Sequence, residues 1–566
     1  MKVSTFIAQF LKKKNIDTVF ELQGGMITCI IDAFHRDGYI KIVSMHHEQA
    51  AAMAADAYGR IANKPGVALA TSGPGATNLL TGIGNCFFDS VPAIFITGQV
   101  NLNEQKGERA TRQIGFQETD IVSMAKPITK TTYVIKTAKE IPRVFEEAYK
   151  ITLSGRPGPV LIDIPMNIQN EEVEAFSVTD SDLPAVATNS TGHEAYFQRY
   201  LMALKSSKRP LILVGRGLRA SGSEGRFLEF MNKCHIPVVT SLLGFDVLPY
   251  QHSERIGFIG TYGNRWANYA LGSCDLLLVL GSRLDLRQTG SDIDSFRRDK
   301  AIYHVDIDEA ELNNRVTECI TLKSDLSEFF SRIENCDCSY NAPREWIRAI
   351  EEKRQTCLDT SELKGITGIN PNTFIHKLSH ASHEARVFTA DVGNNQMWCA
   401  QSLELVNNQM FLTSGGMGAM GYALPAAIGA SITLGNAPVV AIAGDGGFQI
   451  NVQELQTIRR NNLPIKIVIL NNHCLGMIRQ FQDSYFGSCY QSTVWGYTAP
   501  NFSKIALAYG IESCSINRPE EIGEGLEKLW ENPVQPFLLE VSVDIHTNVS
   551  PKMRFGSSMT KMEPSR

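Results

Sequence analysis

The run Val439-Val-Ala-Ile-Ala leads straight into Gly444-Asp445-Gly446, and 27 positions beyond Asp445 a second apolar run, Ile465-Lys-Ile-Val-Ile-Leu, ends in Asn471-Asn472. No other stretch limits the fold as tightly. Apolar runs of this length, closed by turn residues, read as buried strands, and the interval between them fits one strand-helix-strand unit. Asp445 and Asn472 then stand at the carboxyl ends of neighbouring parallel strands, where open α/β sheets bind ligands. A carboxylate and an amide oxygen are hard ligands that suit Mg²⁺, which completes its coordination with water and phosphate oxygens. Glycines beside the carboxylate let backbone N–H groups approach a phosphate, and the following helix turns its N-terminus toward it. The alternative is a Gly-Asp-Gly turn with an unrelated Asn pair; the strand context at both ends favours the diphosphate–metal reading.

Similar alternation of strand-like and helical stretches fills the rest of the 566 residues, which by length suggest three or four domains. Strands are expected at Gly66-Val-Ala-Leu-Ala-Thr, Ala93-Ile-Phe-Ile-Thr and Val160-Leu-Ile-Asp-Ile-Pro, then at Leu211–Val214, Val238–Thr240, Leu276–Leu280 and Ile302–Ile307, and again near Val387–Asp391. The fold class is therefore α/β, with three doubly wound parallel-sheet domains over 1–170, 193–335 and 369–547. An acidic, polar stretch around 171–192 reads as a linker and 336–368 as a polar helical bridge. The tail 548–566 carries few strand or helix signals and is expected to be a mobile segment or a lid.

Composition excludes several classes. Lys+Arg is 54 and Asp+Glu is 59, so the net charge of −5 argues against a nucleic-acid partner. The N-terminal apolar stretch is short, interrupted and followed by Lys12-Lys13-Lys14, so it reads as an amphipathic helix leading into a strand rather than a signal peptide. No run approaches the length of a membrane span. The 12 cysteines are scattered; the nearest pair, Cys336 and Cys338, lacks a second flanking pair and is a poor metal site. Reduced thiols in a cytoplasmic protein are the plain reading.

The Gly-Asp-Gly and Asn-Asn halves belong to a wider set of motifs: HHEQAAAMAADAYGR, ATSGPGATNLLTGI, DSVPAIFITGQV, GFQETDI and GRPGPVLIDIP in the first segment, TADVGNNQMW, TSGGMGAMGYALPAAIGA and LPIKIVILNN in the last. Over nearly its whole length the chain closely resembles the acetohydroxyacid synthase (acetolactate synthase) family of thiamine-diphosphate enzymes. The resemblance implies a pyrimidine-binding first domain, a central domain of FAD type and a diphosphate-binding third domain. It assigns to Glu48 the contact with the aminopyrimidine ring that lets thiamine diphosphate lose its C2 proton, work that needs a carboxylate in an apolar setting. The carbonyl of Gly418 matches the acceptor of the 4′-amino group, and Met420 the prop that bends the cofactor. Gly393, Asn394 and Asn395 would cradle the diphosphate, where related synthases often carry Gln-His. Gly444, Gly446, Gly447 and Met477 complete the cofactor set, and Asp445, Asn472 and the backbone carbonyl of Cys474 the Mg²⁺ set. In this family Glu48 and Asp445 meet across a subunit interface, so a homodimer or homotetramer is expected.

A second cofactor is implied in the middle segment. Pro210-Leu-Ile-Leu-Val is followed by Gly215-Arg-Gly217-Leu-Arg-Ala220, a GxGxxA that is a weak dinucleotide fingerprint alone, since the acidic residue expected about 20 positions on is missing. The resemblance supplies FAD without a net redox role, held by Gly215, Gly217, Gly260–Gly263, Arg283 and Asp306. A middle domain that kept the fold and lost the flavin is the alternative.

The acceptor pocket departs from the family pattern. Phe116 and Gln117 match the pair beside the reacting carbon, and Arg287 matches the arginine that faces the carboxylate of the second keto acid. Met166 replaces the family's lysine, Thr261-Tyr262 its Met-His, Phe481 its tryptophan and Leu286 its acidic residue before Arg287. A charged stretch, Asn101–Arg112, precedes the Phe-Gln pair, and similar substitutions, including Gly24–Thr28 (GGMIT), occur in relatives that make branched sugars. These changes lead to the expectation of a carboligase that decarboxylates pyruvate and transfers the acetyl unit to a ketone acceptor, a nucleotide-linked keto-deoxysugar. The alternative is an acetolactate synthase catalytic subunit of branched-chain amino-acid synthesis. A flavin-dependent pyruvate oxidase and a catalytically dead scaffold stand further off, the latter opposed by the intact Glu48, Asp445 and Asn472.

Overall fold

The computed structural model describes residues 1–174, 190–336 and 338–565. The greater part of the linker expected at 171–192 lies outside them. Three six-stranded sheets, parallel throughout, organise the chain. The first contains β1 (Thr18–Leu22), β2 (Lys41–Ser44), β3 (Gly66–Ala70), β4 (Ala93–Gln99), β5 (Thr131–Val134) and β6 (Pro159–Pro165) in the order β2-β1-β3-β4-β6-β5. The second contains β7 (Pro210–Val214), β8 (Val238–Thr240), β9 (Arg255–Phe258), β10 (Leu276–Leu280), β11 (Ala301–Asp306) and β12 (Ile320–Lys323), ordered β9-β8-β7-β10-β11-β12. The third contains β13 (Val387–Ala390), β14 (Met410–Thr413), β15 (Val439–Gly444), β16 (Ile465–Asn471), β17 (Glu512–Ile516) and β18 (Phe537–Ser542), ordered β14-β13-β15-β16-β18-β17. Sheets one and three thus share one topology, and the middle sheet has the order of a doubly wound dinucleotide fold.

Central strands such as β3, β4, β10 and β16 are buried along their whole length, which is why they read as unbroken apolar runs rather than alternating ones. Val3–Lys13 forms the expected amphipathic helix, packing Phe6 and Phe10 on Phe145 before the chain enters β1.

Two alanine-rich helices join the first and third sheets. Glu48–Ala62 packs on Ala423–Thr433, and small side chains bring the backbones together: a Cβ at Gly429 would lie 2.3 Å from the carbonyl oxygen of Ala54. Beside this contact runs a buried polar network. Arg60 donates to Asp56 at 2.7 Å and to Asp89 at 2.8 Å, and Tyr422 donates to Asp56 at 2.6 Å. Each buried charge has a partner of opposite sign, the condition under which such burial is tolerated.

The bridge around 336–368 is mostly helical, as expected, with helices at Arg344–Thr356 and Asp359–Glu362. The second is pinned by His376, whose Nε2 lies 2.7 Å from Asp359 Oδ2 and whose Nδ1 lies 2.6 Å from Glu404 Oε1. Burial opposes the imidazolium, but the two carboxylates outweigh it and push the group up to about 9. A folded-state value above the unfolded one near 6.5 gives stability that is full below pH 6.5 and lost as pH rises through 9. Wild-type thermal stability should therefore fall between pH 7 and pH 9.5, by no more than about 3 kcal/mol. His376→Gln should flatten that slope in melting curves across the same range; an unchanged slope would show that His376 is not its source.

The tail, expected to be a mobile segment or a lid, is folded against the body. Lys552–Met553 pairs antiparallel with Met562–Glu563, and Arg265 donates to the carbonyls of Met562 at 3.3 Å and Pro564 at 2.9 Å. Its order comes from contacts with the middle and third domains, not from any periodicity of its own. Among the described residues no helix is long and apolar enough to cross a membrane.

Candidate active site

In the third sheet the strand order reverses between β13 and β15, and the following neighbour is β16. Their carboxyl ends deliver Asp391 to Gly393, Gly444-Asp445 and Asn471-Asn472 to one place, as the sequence spacing predicts. The amide oxygen of Asn472 stands 3.2 Å from Asp445 Oδ1 and 2.8 Å from the carbonyl oxygen of Cys474. Three acceptors face one another there. Turning the amide over would let its nitrogen donate to both, which is the cation-free arrangement; a hard divalent cation among the three oxygens satisfies them without it. Burial pushes the Asp445 carboxyl up to about 6, opposed by the Tyr497 hydroxyl that donates to its Oδ2 at 3.1 Å. A nearby dication relieves that desolvation cost. The donor set fits Mg²⁺. Among the described residues no three His, Cys, Asp or Glu side chains cluster as a metal site, so the cation site rests on mixed oxygen ligands.

Beside it stand the residues expected to cradle a diphosphate. Gly393, at φ 144°, opens the helix Asn394–Ser402. Asn394 Oδ1 is buried without a partner, and a Cβ at Gly476 would lie 2.5 Å from Asn394 Nδ2 and 2.6 Å from Asn472 Nδ2. Gly476 therefore lets both amides converge where its own helix, Gly476–Tyr485, begins. Asn395 does something else. Its Nδ2 donates to the Asp391 carbonyl at 2.7 Å and approaches that of Ile442 at 3.5 Å, so the side chain braces β13 against β15 and has no donor left for a phosphate. Gly447 is also structural: a Cβ there would lie 2.3 Å from Asp391 Oδ1.

The loop bearing Gly418 and Met420 is held at both ends by carboxylates that sequence reasoning missed. Asp89 accepts the amides of Gly415 at 2.9 Å and Gly416 at 2.6 Å. Asp391 accepts those of Gly421 at 2.9 Å and Ala423 at 3.0 Å, and burial still pushes it up to about 6. Met420 reaches toward Gly446, with its Cε 3.3 Å from where a Cβ would be. Both aspartates stand in motifs of the chain, DSVPAIFITGQV and TADVGNNQMW, but nothing in those motifs says which loop each one holds.

Glu48 is the first residue of the Glu48–Ala62 helix and is buried. Asn78 Nδ2 donates to its Oε2 at 2.9 Å. Its helix continues in alanines, and Gly75 stands beside its Oε1.

One cavity of about 490 Å³ lies where residues of all three domains meet, with Phe88–Ser90 and Gly155–Pro157 from the first. It collects Gly217, Arg283 and Asp306 from the middle sheet, Thr261 and Arg287 beside it, and Gly393, Met477 and Phe481 from the third domain. Gly215 does not line it. A Cβ at Gly215 would lie 2.2 Å from the Gly281 carbonyl oxygen and one at Gly217 2.6 Å from Gly281 Cα, so these glycines let the turn after β7 pack on the turn after β10, at the switch point of the sheet. The cavity fits a flavin dinucleotide by size and by chemistry. Arg216 Nε is buried without a partner, and burial pulls this guanidinium down to about 10, a cation suited to a bound anion. Arg156, overlooked in the sequence although it stands in GRPGPV, reaches the cavity while donating to Ser90 at 2.8 Å and Glu311 at 2.7 Å. Lys130 donates to the carbonyls of Ser154 at 2.5 Å and Arg156 at 2.9 Å and fixes that loop.

Glu48, Phe116, Gln117 and Met166 do not line this cavity, and neither do the cation ligands Asp445, Asn472 and Cys474 or the expected cofactor residues Asn394, Asn395, Gly418, Met420, Gly444, Gly446 and Gly447. Phe116 is 80% exposed. Gln117 takes a positive φ of 66°, and the 107–114 stretch before it is exposed throughout.

Comparison with known proteins gives a consistent result. Three models of the thiamine pyrophosphate enzyme match: the N-terminal TPP binding domain over residues 1–124, the central domain over 197–333 and the C-terminal TPP binding domain over 391–541. The acetolactate synthase large subunit of Lactococcus lactis subsp. lactis is 35% identical over 559 residues, covering 99% of this chain and 95% of that one. The acetolactate synthase isozyme 2 large subunit of Escherichia coli K12 is 34% identical, covering 99% of both. The chloroplastic acetolactate synthase of Arabidopsis thaliana is 34% identical, covering 98% of this chain and 83% of its own.

Proposed function

The chain belongs to the acetolactate synthase family of thiamine-diphosphate enzymes, and from that premise we propose that it decarboxylates pyruvate and joins the two-carbon unit to a second 2-keto acid, giving a 2-acetohydroxy acid. The observation that carries the acceptor is Arg287. It lines the same cavity as Gly393 and Met477 of the diphosphate region and has no ion-pair partner among the described residues, which suits it to a carboxylate.

The cofactors are thiamine diphosphate, Mg²⁺ and FAD, the last filling the cavity in a structural role. Thiamine diphosphate, when bound, supplies the acidic carbon and the electron sink that decarboxylation requires. Asp445, Asn472 and the Cys474 carbonyl hold the cation, and Asn394 with the N-terminus of Gly476–Tyr485 receives the diphosphate. Glu48 keeps Oε2 on Asn78 and can exchange a proton at Oε1 with a ring nitrogen. The paired carboxylates Asp89 and Asp391 fix the Gly418–Met420 loop. Gln117 offers an amide to a developing alkoxide. Glu48, Phe116 and Gln117 do not line the cavity, and the exposure of Phe116 supports a homo-oligomer whose sites lie between subunits.

A second reading keeps the donor half and changes the acceptor to a nucleotide-linked keto-deoxysugar of branched-sugar synthesis. Its support is the wide mouth, with Phe481 half-exposed and Met166 where a lysine is expected; the relatives named above are all acetolactate synthases and lend it none. Mass spectrometry of products from pyruvate, Mg²⁺, thiamine diphosphate and FAD, with and without a nucleotide-linked 4-keto-deoxysugar, separates the two. Acetolactate in both incubations is the expected result. A sugar adduct with little acetolactate would overturn the keto-acid acceptor.

A further inference from the structure

The mouth of the cavity is built by three segments far apart in sequence. Arg287 comes from the short helix Leu286–Thr289, Phe481 and Tyr485 from the helix Gly476–Tyr485, and Lys552 and Arg554 from the C-terminal strap. Backbone hydrogen bonds lock them together. The amide of Met553 donates to the Thr261 carbonyl at 2.7 Å, and the amide of Thr261 donates to the Arg287 carbonyl at 2.8 Å. Gln480 and Val549 exchange two further bonds, at 2.9 and 3.0 Å. Lys552 and Arg554 therefore flank the strap residue that is tied, through Thr261, to Arg287.

Lys552 is held closely. Its side chain is 18% exposed, its ammonium donates to Ser484 Oγ at 2.6 Å, and it lies 5.9 Å from the centre of the Tyr485 ring. Two acids face this group. Asp285 is spent on capping, accepting the amides of Arg287 at 2.9 Å and Gln288 at 3.2 Å and meeting Arg283 at 3.4 Å. Glu563 stands 3.9 Å from Lys552 and 3.8 Å from Arg554, outside hydrogen-bond reach of both. Lys552 and Arg554 thus share the one carboxylate of Glu563, and Arg287 has no ion-pair partner among the described residues, so the three cations leave an excess of positive charge at the mouth, a field that favours an anion.

We propose that the C-terminal strap is part of the acceptor site, with Lys552 and Arg287 together binding the acidic group of the acceptor. This rests on the carboligase reading above and adds Lys552 to the Arg287 site that reading gives to the acceptor. A carboxylate and a phosphate share the required chemistry, two or more acceptor oxygens for charge-assisted hydrogen bonds from a guanidinium and an ammonium.

The test measures CO₂ release and ligated product on the assembled holoenzyme, with pyruvate as donor and three added acceptors: 2-ketobutyrate, dihydroxyacetone phosphate and the neutral ketone 2-butanone. Lys552→Met should raise the KM of the anionic acceptor roughly ten- to a hundredfold, the effect of losing a hydrogen bond to a charged group. Lys552→Arg should recover most of that loss. Lys552→Gln keeps a donor for Ser484, and so the docked strap, while removing the charge; it should lose anionic acceptors and spare 2-butanone. Which anion is used by the wild type separates a carboxylate from a phosphate source. Anionic-acceptor KM values within twofold of wild type in Lys552→Met and Lys552→Gln would overturn the proposal. Equal losses for neutral and anionic ketones would overturn it too, because they would mark a structural role. Absence of CO₂ release from pyruvate by the wild type would instead overturn the carboligase reading itself.

Discussion

Glu48→Gln should leave the protein folded and lower pyruvate turnover by roughly two to four orders of magnitude. The substitution changes almost nothing in size. Glu48 begins the Glu48–Ala62 helix, and the amide of Gln can keep one oxygen on Asn78 Nδ2, now 2.9 Å away. The second oxygen sits where glycine leaves it room, since a Cβ at Gly75 would lie 3.1 Å from it, and the same room serves the Gln side chain. What disappears is the ability to take and return a proton. The loss should fall on CO₂ release and on product alike, with melting temperature and quaternary structure as in the wild type. Turnover near the wild-type level in a folded Glu48→Gln protein would sink the assignment of Glu48.

Much of this site is legible in the sequence because its signals are local. Gly-Asp-Gly after one apolar run and Asn-Asn after the next fix both the neighbouring strands β15 and β16 and the oxygens at their ends. Glu48 is visible only through the motif around it, since an isolated glutamate at a helix start carries no such information. The parts that escape are those where one segment acts on a distant one. Asp89 and Asp391 stand in quoted motifs, yet their grip on the Gly418–Met420 loop is a contact between distant segments that no motif states. Asn395 is assigned to phosphate by its place beside Asn394, yet its donors are taken by β13 and β15. The glycines of GxGxxA read as a dinucleotide loop, while Gly215 and Gly217 first serve the packing of two sheet turns. The tail reads as featureless because its order is borrowed from Arg265, Gln480 and Thr261. The common topology of the first and third sheets leaves no repeat in the sequence, since strand order constrains burial but not residue identity.

Asp445→Ala should abolish Mg²⁺-dependent retention of thiamine diphosphate and reduce turnover by about three orders of magnitude or more, since the one carboxylate among the cation's protein ligands proposed above is lost. Asn472 and the Cys474 carbonyl remain, but two neutral dipoles do not hold a dication against a hydrated alternative. The fold should not suffer. The Asp445 carboxyl is buried and pushed up to about 6, so in the cation-free protein its removal relieves a desolvation cost rather than breaking an ion pair. Cation-free melting temperature should therefore stay level or rise, while the increase on adding Mg²⁺ and thiamine diphosphate vanishes. The same variant tests the subunit arrangement. If Glu48 of one copy works with Asp445 of another, Glu48→Gln and Asp445→Ala are each inactive alone, yet a mixed dimer carries one site with both residues intact. Co-refolded in equal amounts, the two variants should regain about a quarter of wild-type activity, the statistical yield of one good site in half of the dimers. If the two residues serve the same site within one chain, every site in every mixture lacks one of them and no activity returns.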